Sequence, residues 1–197
     1  MRYTHEHKER SRARILREAS QALRLGGPDR VVVADIMAAA GMTHGGFYVH
    51  FKSKDELIAL AIQDGFEQVS ERFDALTKDR GPAAALGAYI DAYLSQQHRD
   101  QRDQGCPAAA LAGDAPRLKE DARGAFQAGF ERSTIRISRW LADLGHDQPD
   151  ELAISVMTEM IGALMAARAC VDARASGRIL RISRQALRGR LGLMTAA

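Results

Sequence analysis

Cysteine is nearly absent from this chain: Cys106 and Cys170 are the only two among 197 residues. Two cysteines argue against the disulfide framework of a small secreted domain, and no C-x-x-C pair offers metal-ligand spacing, so no metal is expected. Long apolar runs are missing too. None approaches the ~20 residues of a membrane-spanning helix, and the stretch from Met1 to Arg17 is charged throughout, unlike a signal peptide or lipid anchor. A cytoplasmic protein with no membrane partner is the expectation. Strand signals are scarce: Val31-Val32-Val33 is the one β-branched cluster, too short for a sheet. Catalytic signatures are lacking as well. There is no H-E-x-x-H, G-x-S-x-G, phosphate-binding loop or G-x-G-x-x-G, and His5-Glu6-His7 has no further ligands nearby, so neither an enzyme nor a cofactor is expected.

What is present is helix-forming sequence and an uneven charge. Residues 1–54 hold ten Lys/Arg against five Asp/Glu, a net +5, whereas the remaining 143 residues carry −2. A basic block at one end of a nearly neutral body points to a polyanion partner at that end. The first helix is expected over about 4–25, with Ile15, Ala19, Ala22 and Leu23 on one apolar face and Arg10, Arg12, Arg14 and Arg17 mostly off it. Gly26-Gly27-Pro28-Asp29 ends it. Short helices at about 34–40 and 44–50 follow, then a long one from Lys54 to about Lys78 with Ser53 as N-cap and Glu56 completing a capping box. Gly81-Pro82 starts the next helix. The polar stretch Gln96–Gly105 reads as a loop, Cys106–Ala112 as one or two helical turns, and Pro116–Leu144, Pro149 to about Arg174 and Arg178–Leu193 as helices, nine in all.

The most informative segment is Val33 to Leu60, VADIMAAAGMTHGGFYVHFKSKDELIAL. Ile36 and Ala40 face inward on one short helix. Gly41 supplies the left-handed conformation of a tight turn, Met42 plugs the corner and Thr43 is placed to N-cap the next helix. Phe47 and Phe51, four apart, share its buried face. His44, Gly45, Gly46, Tyr48, Val49 and His50 are left toward the other face. Glycines there let the backbone approach another surface closely, and phenol and imidazole groups are good phosphate partners. Such a short helix with polar N-terminal residues suits the major groove of DNA.

The run Ala40-Gly41-Met42-Thr43-His44-Gly45-Gly46-Phe47-Tyr48-Val49-His50-Phe51-Lys52-Ser53-Lys54, behind a basic first helix, resembles the signature of the TetR/AcrR family of transcriptional regulators over about residues 8–60. The resemblance implies an all-α fold. A three-helix helix-turn-helix DNA-binding domain would span residues 1–53, and a six-helix effector-binding and dimerisation domain residues 54–197. It implies a homodimeric repressor that binds palindromic double-stranded operator DNA and is released by a small-molecule effector. Carried over by position, His44, Gly45 and Gly46, with Thr43 before them, would lie near base edges, and Tyr48, His50 and Lys54 on phosphates. Lys54 sits in a first helical turn whose amides add to anion binding. Where many relatives have Thr at the start of the second helix, this chain has Val33 and Ala34, so Arg30 or the N-terminal arginines would have to supply that contact.

In the body, the helix from about 151 to 174 is apolar nearly all round and the last helix carries Ile179, Ile182, Ala186 and Leu187. A helix apolar on every side must be covered on every side. The small residues Ala163, Ala166 and Ala167, with Ile179, Ile182 and Ala186, are therefore the expected dimer seam. Tyr89, Tyr93, Phe126, Phe130, Trp140, Met157 and Met160 are candidates for lining an effector cavity, which favours an apolar or aromatic ligand. Cys106, in Gly105-Cys106-Pro107 at the start of a short helix, offers an alternative: a sensor thiol for electrophiles or oxidants. Cys170 reads as inert core. An architectural DNA binder is disfavoured by the near-neutral body.

Overall fold

Helices make up all the regular structure in the computed structural model, which describes residues 2–193. They are α1 (Arg2–Gly26), α2 (Val33–Ala39), α3 (Phe47–His50), α4 (Lys54–Thr77), α5 (Pro82–Tyr93), α6 (Gln96–Asp100), α7 (Pro107–Leu111), α8 (Glu120–Asp143), α9 (Pro149–Ala169) and α10 (Ala173–Arg190), with single 3-10 turns at Pro28–Arg30, His44–Gly46, Arg102–Gln104 and Ala115–Arg117. The all-α expectation holds, with ten α-helices instead of nine among the described residues. The extra one is α6, inside the stretch read as a loop. Its sequence is polar, but Ser95 caps it by accepting a hydrogen bond from the His98 amide at 3.0 Å. The last helix also starts earlier than expected. Asp172 caps α10 by accepting from the Arg174 amide at 2.9 Å. Ser176, expected in a turn, is buried within the helix and donates its hydroxyl to the Ala167 carbonyl at 2.6 Å.

The chain gathers into two compact units, Met1–Gln68 with Arg102–Gly129 and Val69–Gln101 with Phe130–Ala197. This division differs from the expected 1–53 and 54–197, because α4 and α8 each give one part to each unit. In the first unit, Ile15, Ala19 and Leu23 of α1 are fully buried with Ile36 and Met37 of α2, Leu57, Ile58, Ala61 and Ile62 of α4, and Ala108 and Leu111 of α7. Arg24 is buried among them. It donates to the Ser20 carbonyl at 3.2 Å, the Gly105 carbonyl at 3.4 Å and Gln68 Oε1 at 2.9 Å, which ties α1 to α4 and to the turn before α7. A guanidinium tolerates burial only when its donors are matched in this way. Gly129 closes the unit: a Cβ there would overlap the ring of Phe66, so α4 and α8 meet closely only because the side chain is absent.

In the second unit α10 packs on α9 and α5. Arg188 of α10 pairs with Asp91 at 2.9 Å and Arg190 with Glu159 at 2.9 Å. Length and composition alone would let α9 cross a membrane, its most apolar window having a mean hydropathy of 1.4, contrary to the expectation that no stretch approaches a span. Eight of its residues are nonetheless buried in the chain's own core, from Ala153 to Ala167, and a core helix has the same composition.

Candidate functional site

The turn between α2 and α3 is built as the sequence requires. Gly41 has φ 71°, and the Met42 amide bonds the Met37 carbonyl at 2.8 Å while the Gly41 amide bonds Ala38 at 2.9 Å. This is a Schellman closure, and it depends on the left-handed residue. Phe47 and Phe51 are both 2% exposed and stack with ring centroids 5.6 Å apart, so one side of the recognition segment is core. Its other side is open. Tyr48 is 74% exposed and Val49 61%. Thr43, His44 and Gly45 are exposed, and a Cβ placed on Gly45 would meet nothing within 4 Å. The fold itself therefore does not require a glycine at 45. Thr43 occupies the cap position but makes no side-chain cap bond, which leaves its hydroxyl on the surface. At the start of α4 the Glu56 amide donates to Ser53 Oγ at 3.1 Å, so Ser53 caps the helix as expected, while the Glu56 carboxylate accepts from the amide of Lys52, one residue before the cap, and Lys54 stands exposed in the first turn.

His50 is less accessible than its expected phosphate role suggests. It is half-buried, tilted against Phe51 at 6.3 Å, and its Nδ1 is buried with no hydrogen-bond partner. Burial, then the charges of Lys8 and Arg12, pull its pKa below the ordinary histidine value, so it is held neutral near pH 7. Arg12 lies over the Phe51 ring at 5.1 Å, a cation–π contact that fixes α1 to the recognition segment. Arg14 reaches the α2–α3 turn, its Nη2 lying 3.8 Å from where a Gly41 Cβ would be. Arg10, Arg14 and Arg17 are exposed along α1. Val32 caps α2 without any side-chain bond, and Arg30, the other cation expected in place of the threonine, is exposed two residues before it.

The second unit contains a cleft of about 380 Å³ between α4, α5 and α6. Val69, Phe73 and Leu76 of α4 and Ala92 of α5 form its apolar wall, and Arg72, Ser95, Gln97, His98 and Gln101 its polar rim. Behind Phe73 lies an aromatic stack: its ring is 4.2 Å from Tyr89 and 6.3 Å from Tyr93, and Tyr89 meets Trp140 edge-on at 5.7 Å. His98 packs edge-on against Tyr93 at 4.7 Å, with Nδ1 2.8 Å from the Tyr93 carbonyl. Arg168 of α9 donates to the carbonyls of His98 and Arg99 at 2.8 and 3.2 Å, and Arg99 donates to Ser176 at 3.0 Å, which clamps α6 in place.

Comparison with known proteins decides the family. The profile described as "Bacterial regulatory proteins, tetR family" matches residues 15–61, and that of the "Transcriptional regulator LmrA/YxaF-like, C-terminal domain" matches residues 82–181, half of the chain. The chain belongs to the TetR family of transcriptional regulators. It is similar to an uncharacterized HTH-type transcriptional regulator of Bacillus subtilis, YfiR, at 26% identity over 74% of this chain and 72% of that one. It also resembles the HTH-type transcriptional regulator TtgR of Pseudomonas putida, at 31% identity over 44% of this chain and 41% of that one. Among solved structures, a TetR transcriptional regulator from Chloroflexus aurantiacus has a TM-score of 0.80 at 24% identity, covering 95% of this chain and 96% of its own. The reduced form of Escherichia coli NemR has a TM-score of 0.78 at 19% identity, covering 91% and 96%.

Within this TetR-family chain the expected effector residues do not form one lining. Tyr89, Tyr93, Met157 and Met160 are buried in the second unit, with Trp140 and Phe130 half-buried there, and none of the six lines the cleft. Phe126 belongs to the first unit, edge-on to Phe66 at 6.0 Å. Cys106 is also in the first unit and only 1% exposed. The cleft is lined instead by residues not expected there, among them Arg72, Phe73 and His98. The available signal for the last was Ser95, a helix cap in a stretch dismissed as loop. At the expected seam, Ala166, Ile182 and Ala186 are exposed and Ile179 is half-buried. Ala163 and Ala167 turn into the chain's own core, at 8% and 1%, because they share the helix face of Met160 and Leu164. Ile154, Gly162 and Met165 join the exposed apolar face in their stead.

Proposed function

We propose that the chain is a cytoplasmic, non-enzymatic repressor that binds a palindromic operator as a homodimer and releases it when a small apolar or aromatic effector binds. The observation that carries the DNA reading is the two-sided recognition segment. Phe47 and Phe51 anchor it in the core, while Tyr48, at 74% exposure, stands with His44 and Gly45 on a surface the chain leaves uncovered. The exposed apolar face of α9 and α10, with Ile154, Met165 and Ile182, is suited to a second copy, and two-fold symmetry suits a palindrome. The same α4 that begins at Lys54 carries Phe73 of the cleft near its end, so a ligand that favours one arrangement of its C-terminal half shifts the DNA-competent population. The burial of Cys106 favours this noncovalent route over thiol chemistry, since a covered sulfur must first be uncovered to meet an electrophile.

The test is a mobility-shift titration on the DNA flanking the gene. Tyr48→Phe and Lys54→Ala should each weaken binding without lowering the melting temperature, and Lys54→Ala should reduce the salt slope by about one. Ala166→Glu should give a folded monomer in sedimentation that binds this DNA poorly. Wild-type affinity in both DNA-face variants, or a wild type that sediments as a monomer at micromolar concentration, defeats the proposal.

A further inference from the structure

Two glycines stand side by side in the turn that opens the recognition segment, and the fold demands neither. The turn, His44–Gly46, is right-handed 3-10. Gly46 has φ −76° and ψ −10°, a conformation open to any residue, and Gly45 lies outside the left-handed region too. Space does not call for them either. A Cβ on Gly46 would rest in ordinary contact, 3.6 Å from Met37 Cε and 3.9 Å from Thr43 Oγ1, and one on Gly45 would meet nothing within 4 Å. Two other glycines of this unit have a visible cause: Gly41 has φ 71°, and a Cβ at 129 would overlap the Phe66 ring. A glycine without such a cause weakens the fold, because it loses more backbone freedom on folding than any other residue. Gly45 sits exposed, after the exposed Thr43 and His44 and before Tyr48, on the surface that the chain leaves uncovered.

We propose that Gly45 sets operator specificity by letting a base-pair edge of the major groove lie directly against the main chain, in the space a side chain would fill. The two glycines are not equivalent in this respect. The Cβ direction at 46 leads back to Met37 of α2 and to Thr43, whereas at 45 it leads away from the chain. Only position 45 can therefore press on an outside surface. Base edges carry the sequence information and phosphates carry most of the sequence-independent affinity. A side chain at 45 should hold the base edges off while Tyr48 and Lys54 still meet phosphates. The inference rests on the DNA reading above and adds which residue discriminates between sequences. A turn kept pliable for its own sake is the rival explanation, and it would make both glycines matter alike.

The experiment compares wild type, Gly45→Ala and Gly46→Ala, each full-length, on two duplexes. One is the shortest segment of the DNA flanking the gene that the wild type protects, and the other is a shuffled duplex of the same length and composition. Both alanine variants should melt about 1–4 °C above the wild type. Gly45→Ala should bind the protected segment about tenfold more weakly or worse, and the shuffled duplex within about twofold of the wild type, with an unchanged salt slope. Gly46→Ala should stay within about threefold of the wild type on both. Undiminished discrimination in Gly45→Ala, equal losses in the two variants, an equal loss on the two duplexes, or a lowered melting temperature for Gly45→Ala overturns the proposal and leaves the DNA reading standing. A wild type that protects no segment and binds all duplexes alike defeats the DNA reading, and this inference with it.

Discussion

Arg24 in the first unit and His98 in the second are both polar groups drawn out of water, and they are kept there by opposite means. Arg24 keeps its charge and is satisfied by acceptors from three places in its unit, the carbonyls of Ser20 and Gly105 and the Gln68 side chain. His98 gives up its charge, spends one nitrogen on the Tyr93 carbonyl and sits between cations that discourage protonation. A guanidinium cannot be switched off at any physiological pH, so its site acts as a permanent tie. An imidazole can be switched, so its site is stable only on one side of a pH range. The first unit uses the first kind of group at Arg24, whereas in the second unit α6 is held both by a guanidinium, that of Arg168, and by the neutral ring of His98.

Removing the permanent tie should have the largest effect. Arg24→Ala leaves the Gly105 carbonyl and Gln68 without their donor in a buried setting and should cost about 3–5 kcal/mol in urea denaturation. A loss below about 1 kcal/mol would mean that the network is ornamental. The switchable site comes next. The pKa of His98 lies near 4 in the folded chain and near 6.5 once unfolded, so only the unfolded state takes up the proton between those values. The stability that this neutral ring contributes is complete above about pH 6.5 and falls as acid is added, by up to about 3 kcal/mol near pH 4. Wild type compared with His98→Gln across that range isolates the effect. Parallel stability curves would remove His98 from the account.

A smaller change sharpens the contrast. Asp64 accepts a hydrogen bond from Gln68 beside Arg24, and burial raises its pKa above the usual carboxylate range despite the pull of Arg24 and Gln68. Its charge is therefore a burden more than a support. Asp64→Asn should shift stability by no more than about 1 kcal/mol, in either direction. A loss comparable to that of Arg24→Ala would make the pair a true ion bridge.

The DNA-facing half was legible because its signals are local. Gly41, the four-residue step from Phe47 to Phe51, and Ser53 with Glu56 each act within one turn of chain, and each appears in the structure doing what its spacing demands. The cleft was not legible, because its wall is assembled from residues that span Val69 to Gln101 and three helices. Tyr89 and Tyr93 are expected from the sequence to line a cavity, but aromatic spacing on a single helix does not say whether a ring faces a void or another ring. Here they face Phe73, Trp140 and each other. The seam divided for a similar reason. Ala166 and Ala167 are adjacent in sequence and a hundred degrees apart around the helix, so one lies on the open face and the other inside.

The contact of Gly129 with the Phe66 ring carries a consequence for how such a chain can diverge. The two positions form a single volume shared between α4 and α8, already full on one side and empty on the other. A descendant that acquires a side chain at 129 must first, or at the same moment, lose ring atoms at 66. The order of the two changes is therefore constrained: shrinking Phe66 first opens a cavity that the fold can survive, whereas enlarging Gly129 first leaves an overlap between two helices that has no flexible end to yield. Sequence drift at this crossing is a one-way street, entered from the side of the phenylalanine.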